Sequence, residues 1–157
     1  MNKRLFGLFL CVGLIMFFLI GSKAKTRITI YTDDGNADYL VERVVGGEKT
    51  PEGMIKALID NKMLPIQTRV VRYECKKVKS KMVGYLDLSQ EFLDAISHTG
   101  TAGEVMYVYS VVNTFIKNLA LDEVKLTVNG NEIEEGHLYY ADNFEFYDHL
   151  IILPTKD

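Results

Sequence analysis

The sequence predicts an α+β domain of two layers, β-α-β-β-α-β-β in order, with two helices laid on one mostly antiparallel or mixed sheet. Three observations carry this expectation. Residues 68–76 alternate polar and apolar, as a strand with one buried face does, and residues 82–88 follow as the next strand. Val105, Val108, Tyr109, Val112, Phe115 and Ile116 recur at helical spacing, one stripe of a long helix. Asn129-Gly130 follows another alternating run, and both residues accept the positive φ that a tight hairpin turn demands.

Taken in order, Arg27-Ile28-Thr29-Ile30-Tyr31 is the first strand and Asp33-Asp34-Gly35-Asn36 the turn that ends it. Asp34, Asn36 and Asp38 have the spacing that opens a calcium loop, but Tyr39 and Val45 stand where that loop needs glycine and glutamate. The expected role is a solvated acidic turn. Leu40 to Val45 adds a short extended piece closed by Gly46-Gly47. Thr50-Pro51-Glu52 opens a helix: a hydroxyl at the N-cap, proline at the first helical position, then a carboxylate favoured by the dipole. Met54, Ile55, Leu58 and Ile59 give it a buried face, and Pro65 marks its end.

In the strand that follows, Val71, Tyr73 and Cys75 share one face, and Arg72 and Glu74 the other. Cys75 reads as a small apolar filler. Lys76, Lys77, Lys79 and Lys81 then mark a hairpin tip. They invite an anionic wall polymer as ligand, although charge that guards a sheet edge explains them equally. Asp87-Leu88-Ser89-Gln90-Glu91 reads as a strand exit and helix cap. Gly100 and Gly103 precede the long helix, where Thr101 and Glu104 have the capping-box spacing. After the Asn-Gly turn, residues 132–134 are the returning arm, and the aromatic stretches 137–140 and 144–147 are placed to close the sheet edge. The apolar tail 150–153 docks as a last strand or packs on a neighbour.

One domain spans residues 27–157, behind an N-terminal segment, residues 1–26. Lys3-Arg4 leads into an apolar run from Leu5 to Gly21 that contains no charge. Such a run is an uncleaved membrane anchor or a secretory signal cut after Ala24; Cys11 lacks the small neighbours of a lipoprotein signal. Net charge is −3, and it is more negative once Lys3 and Arg4 are set aside, which excludes an ordinary nucleic-acid binder.

The chemistry on offer is thin. His98, His137 and His149 sit in no local catalytic signature, there is no C-x-x-C or H-E-x-x-H, and residues 100–103 lack the lysine of a phosphate loop. No cofactor or metal ion is expected. The one enzymatic alternative is a small envelope hydrolase or ligand-binding protein using His98 with Asp87 or Glu91.

Three blocks together resemble the GerMN domain of sporulation and spore-germination proteins. They are Gly84-Tyr85-Leu86-Asp87-Leu88-Ser89-Gln90-Glu91-Phe92, Gly100-Thr101-Ala102-Gly103-Glu104 and Tyr109-Ser110-Val111-Val112-Asn113-Thr114. Thr29-Ile30-Tyr31 with residues 36–41 is similar to that family's opening strand, and residues 124–130 with Gly136-His137 to its closing hairpin. Between them the family's Gly-Pro turn and Ile-Pro-Glu-Gly-Thr run are replaced, with only Pro65 and Thr68 matching. The resemblance implies a non-enzymatic, extracytoplasmic module of the Gram-positive envelope that acts on other envelope proteins. It marks Tyr85, Asp87, Leu88, Ser89, Phe92, Gly100, Gly103, Glu104, Tyr109, Asn113 and Thr114 as framework positions and no residue as catalytic.

Overall fold

The strands divide into two sheets, not one. The computed structural model describes residues 26–152. In one sheet β1 (Thr26–Asp33) pairs antiparallel with β2 (Leu40–Gly47), and β7 (Ile151–Ile152) adds in parallel at Leu40 and Val41. In the other, β3 (Val70–Val78), β4 (Lys81–Leu88), β5 (Glu123–Val128) and β6 (Phe144–Glu145) lie in that order, with β4 and β5 parallel and the outer pairs antiparallel. Helices α1 (Pro51–Asp60), α2 (Gln90–Ser97) and α3 (Thr101–Leu119) complete the domain. The α+β class is as expected; the second sheet and the third helix, α2, are additions to it.

The reason the sheet does not run on lies in α3. The outer edge of β1 is occupied by helix side chains. Thr29 N–H donates to Asn118 Oδ1 at 3.0 Å and Asn118 Nδ2 donates back to Thr29 C=O at 2.6 Å, while Tyr31 N–H donates to Thr114 Oγ1 at 3.2 Å. An asparagine amide thus satisfies the backbone as a neighbouring strand would. The helix lies against β1 on one side and β5 and β6 on the other. It is accordingly buried almost all round: Val108, Val111, Val112 and Phe115 are fully covered, and so are Glu104, Ser110, Asn113 and Thr114.

Local signals act as expected at α1, where Thr50 Oγ1 accepts from Gly53 N–H at 3.0 Å and Met54, Ile55 and Leu58 face the core. The acidic turn is solvated, with Asp34 Oδ1 accepting from the Asn36 and Asp38 N–H groups. Asn129 (φ 49°) and Gly130 (φ 79°) make the tight turn, but residues 132–134 form no returning strand; after the turn the chain makes a single bridge, Asn131 with Val128. The tail docks as β7. Cys75 is not core filler: β3 is an edge strand, and the thiol is exposed there. The apolar run from Leu5 to Gly21 lies outside the described residues, and no described helix is long and apolar enough to cross a membrane.

Candidate functional site

Two places concentrate polar side chains. One is inside the domain, the other on its surface.

The inner one is built on Glu104. Its side chain is wholly buried in the first turn of α3, yet four donors converge on it. His137 N–H reaches Oε2 at 2.7 Å and the His137 ring Nδ1 lies 2.8 Å from the same oxygen; Leu138 N–H and the Tyr140 hydroxyl reach Oε1 at 3.1 and 2.7 Å. Burial pushes the carboxyl pKa up, but the Tyr140 and His137 hydrogen bonds and the Leu138 N–H outweigh it and hold the group below its usual value. Burial, then the bond to Glu104, drives the Tyr140 hydroxyl the other way, well above the usual range. Gly136 is required here. Its φ is +113°, and a Cβ on it would strike the Glu104 carboxylate. The capping box between Thr101 and Glu104 therefore does not form: Gly100 is the N-cap, Thr101 begins the helix, and Glu104 turns to the stronger donors of residues 137–140.

The other framework polar residues serve the backbone in the same way. Asn113 exchanges two hydrogen bonds with Tyr147, 2.9 Å from Nδ2 to the carbonyl and 3.0 Å from the Tyr147 N–H to Oδ1. Tyr109 stacks on Tyr147 at 4.7 Å and meets Phe144 edge-on. Ser89 closes the start of β3, its N–H donating to Arg69 C=O and its Oγ accepting from Arg69 N–H at 2.9 Å. Leu88 and Phe92 are core, and Gly103 lies where a Cβ would press on Thr99.

The outer place is a hollow of about 280 Å³ on the solvent face of the four-stranded sheet, lined by Arg72, Glu74, Lys76, Tyr85, Lys125 and Thr127, with Asp87 at its floor. Asp87 Oδ1 accepts from the Thr127 hydroxyl at 2.8 Å and Gly130 N–H at 2.9 Å, tying the Asn-Gly turn to β4. Glu74 bridges Arg72 (3.0 Å) and Lys76 (2.8 Å), whose charges hold its carboxyl below the usual range, Lys76 first. Lys76 Nζ lies 5.4 Å from the centre of the Tyr85 ring. Lys125 donates to the carbonyls of Tyr140 and Ala141 at 2.9 and 2.6 Å. Lys81 pairs with Glu123 and, at 2.6 Å, with Glu145. Two of the four hairpin lysines, Lys76 and Lys81, are thus paired with carboxylates within the sheet.

The three residues of the enzymatic alternative each engage other partners. His98 is exposed at the C-cap of α2 with its Nδ1 2.6 Å from Asp94 C=O, Asp87 holds Thr127 and Gly130, and Glu91 lies 3.7 Å from Arg69. Sequence reading missed Glu104 as an internal ligand of the chain, together with His137, Tyr140, Gly136 and Asn118. A signal existed: Glu104 precedes Val108 and Val111 by four and seven, so it lies on the buried stripe.

The chain matches the family described as "sporulation and spore germination" (Germane) over residues 17–134. It is similar in fold to the first GerMN domain of the sporulation protein GerM from Bacillus subtilis, at 22% identity and a TM-score of 0.53, covering 76% of this chain and 97% of that one. Against the tandem GerMN domains of the same protein the identity and TM-score are the same, and the match covers 46% of that longer chain. No curated protein matches.

Proposed function

The chain belongs to the sporulation and spore germination family, and on that premise we propose that it is a non-enzymatic docking module. In this reading it works in sporulation or in assembly of the cell envelope, held outside the membrane by the apolar run from Leu5 to Gly21 and binding other envelope proteins. One observation carries the proposal. Asp87, Ser89, Glu104, Asn113 and Thr114, the polar framework residues, each bond to another segment of the same chain, usually its backbone. The surface we take to meet a partner is the mixed-charge solvent face around Tyr85. A face with paired charges and one aromatic ring suits protein recognition, where charge complementarity sets register and specificity.

The test is made in the source cell. Tyr85→Ala with Lys76→Ala is expected to lower the yield of heat-resistant spores while leaving the protein at its normal level, and His98→Ala to leave the yield unchanged. A phosphatase fused after Asp157, active only outside the cytoplasm, is expected to be active. Loss of function with His98→Ala alone, or an inactive fusion, would overturn the proposal.

A further inference from the structure

β3 is a nine-residue edge strand of the four-stranded sheet, with β4 on one side and no described strand on the other. Its hairpin with β4 turns through two residues, Lys79 (φ 57°) and Ser80, so Val78 and Lys81 face each other across the turn. In a two-residue hairpin that flanking pair exchanges both backbone hydrogen bonds, and alternate pairs do so along the ladder. Lys76 and Glu74 therefore point their N–H and C=O groups at β4, while Lys77, Cys75 and Tyr73 point theirs outward. Val71 and Val78 on the same strand are 53% and 41% exposed, and Cys75 is exposed as well. This is a free edge with apolar content, the kind that takes up another strand.

Charge decides which strand fits. Suppose a second copy of β3 lies antiparallel across this edge. A two-fold centred on Glu74 sets glutamate against glutamate and Arg72 against the partner's Lys76. One centred on Lys76 sets lysine against lysine. One centred on Tyr73 sets Arg69 against the partner's Lys77 and overruns the register shift between Val70 and Arg72. Centred on Cys75, the pairing sets Glu74 opposite the partner's Lys76 twice over and Tyr73 opposite the partner's Lys77, with no like charges facing. It also opposes outward-pointing backbone groups to outward-pointing backbone groups throughout. We infer that the open edge of β3 binds β3 of a second copy of this chain, antiparallel and in the register that centres on Cys75. The inference goes beyond the docking reading above, since it needs no other protein and places the contact at the sheet's edge, not on its face.

Two experiments on the full chain in detergent micelles test it. In a Cys11→Ser background, copper-phenanthroline oxidation is expected to cross-link the chain through Cys75 at least about ten-fold better than Tyr73→Cys or Lys77→Cys variants that also carry Cys75→Ser. Only the central residue of a two-fold pair meets itself, and opposed Cα atoms about 5.5 Å apart are within disulfide reach. In sedimentation equilibrium, Glu74→Lys sets lysine against lysine at two symmetric positions and is expected to weaken dimerisation about ten-fold. Glu74→Lys with Lys76→Glu is expected to restore it. A monomer at all concentrations would overturn the inference. So would a dimer indifferent to these charges, as one held by the apolar N-terminal run would be, or equal cross-linking at positions 73, 75 and 77. The cross-linking arm stands even where a charge variant fails to fold, and neither arm depends on whether the chain acts in sporulation.

Discussion

Helix α3 and the solvent face of the four-stranded sheet both carry polar side chains and use them in opposite ways. On α3 four covered or half-buried polar groups reach a distant segment, Asn118 to Thr29, Thr114 to Tyr31, Asn113 to Tyr147 and Glu104 to residues 137–140, while the buried Ser110 hydroxyl has no hydrogen-bond partner. On the sheet face the charges are mostly exposed and pair with each other, Glu74 with Arg72 and Lys76, Lys81 with Glu123 and Glu145. A buried group without its partner keeps its full desolvation penalty; an exposed one returns to water. The helix is therefore intolerant and the face permissive. Permissive surfaces are where binding specificity can be rewritten without loss of the fold.

Substitutions can break or sharpen this contrast. Phe115→Ala, at a fully buried site between the sheets, is expected to cost about 3–5 kcal/mol in urea unfolding; a cost below about 1 kcal/mol would mean that α3 is not held from both sides. Glu104→Gln is expected to cost about 2–3 kcal/mol, because an amide cannot accept all four bonds and its NH₂ faces donors. The pH dependence has a definite sign. The folded carboxyl lies below its unfolded value, so its stabilisation is complete above about pH 4.3 and is lost as pH falls through the folded pKa. Acid titration of the two proteins should show the variant flatter below about pH 5; parallel curves would contradict the latch. Asp87→Ala should cost about 1–2 kcal/mol by freeing the Thr127 hydroxyl and Gly130 N–H, read from the shift in unfolding midpoint. Thr101→Ala is expected to move that midpoint least, by less than about 0.5 kcal/mol, since Gly100 and not Thr101 caps α3.

Local rules made part of this legible in advance. Thr50-Pro51-Glu52, Asn129-Gly130 and the lysine-bearing hairpin each depend on a few neighbouring residues, and each stands where the spacing puts it. The division into two sheets was not legible, because it rests on Asn118 and Thr114 meeting a strand more than 80 residues earlier. Glu104 was misread for a related reason. Its spacing from Thr101 offers one backbone N–H, whereas its tertiary neighbours offer four donors, and a local pattern cannot report that competition. Cys75 was misplaced because alternation tells which face of a strand a residue takes, and not whether the strand lies at the open margin of its sheet.

The ties of α3 to both ends of the chain also govern when the fold can form. β1 has no settled outer neighbour until residue 118 has been made, and Glu104 and Asn113 lack their ligands until residues 137–147 emerge. Contacts of such sequence separation are slow to close, and these come together only once residues 118–147 have been made. A nascent polypeptide of this design stays pliable until those residues emerge.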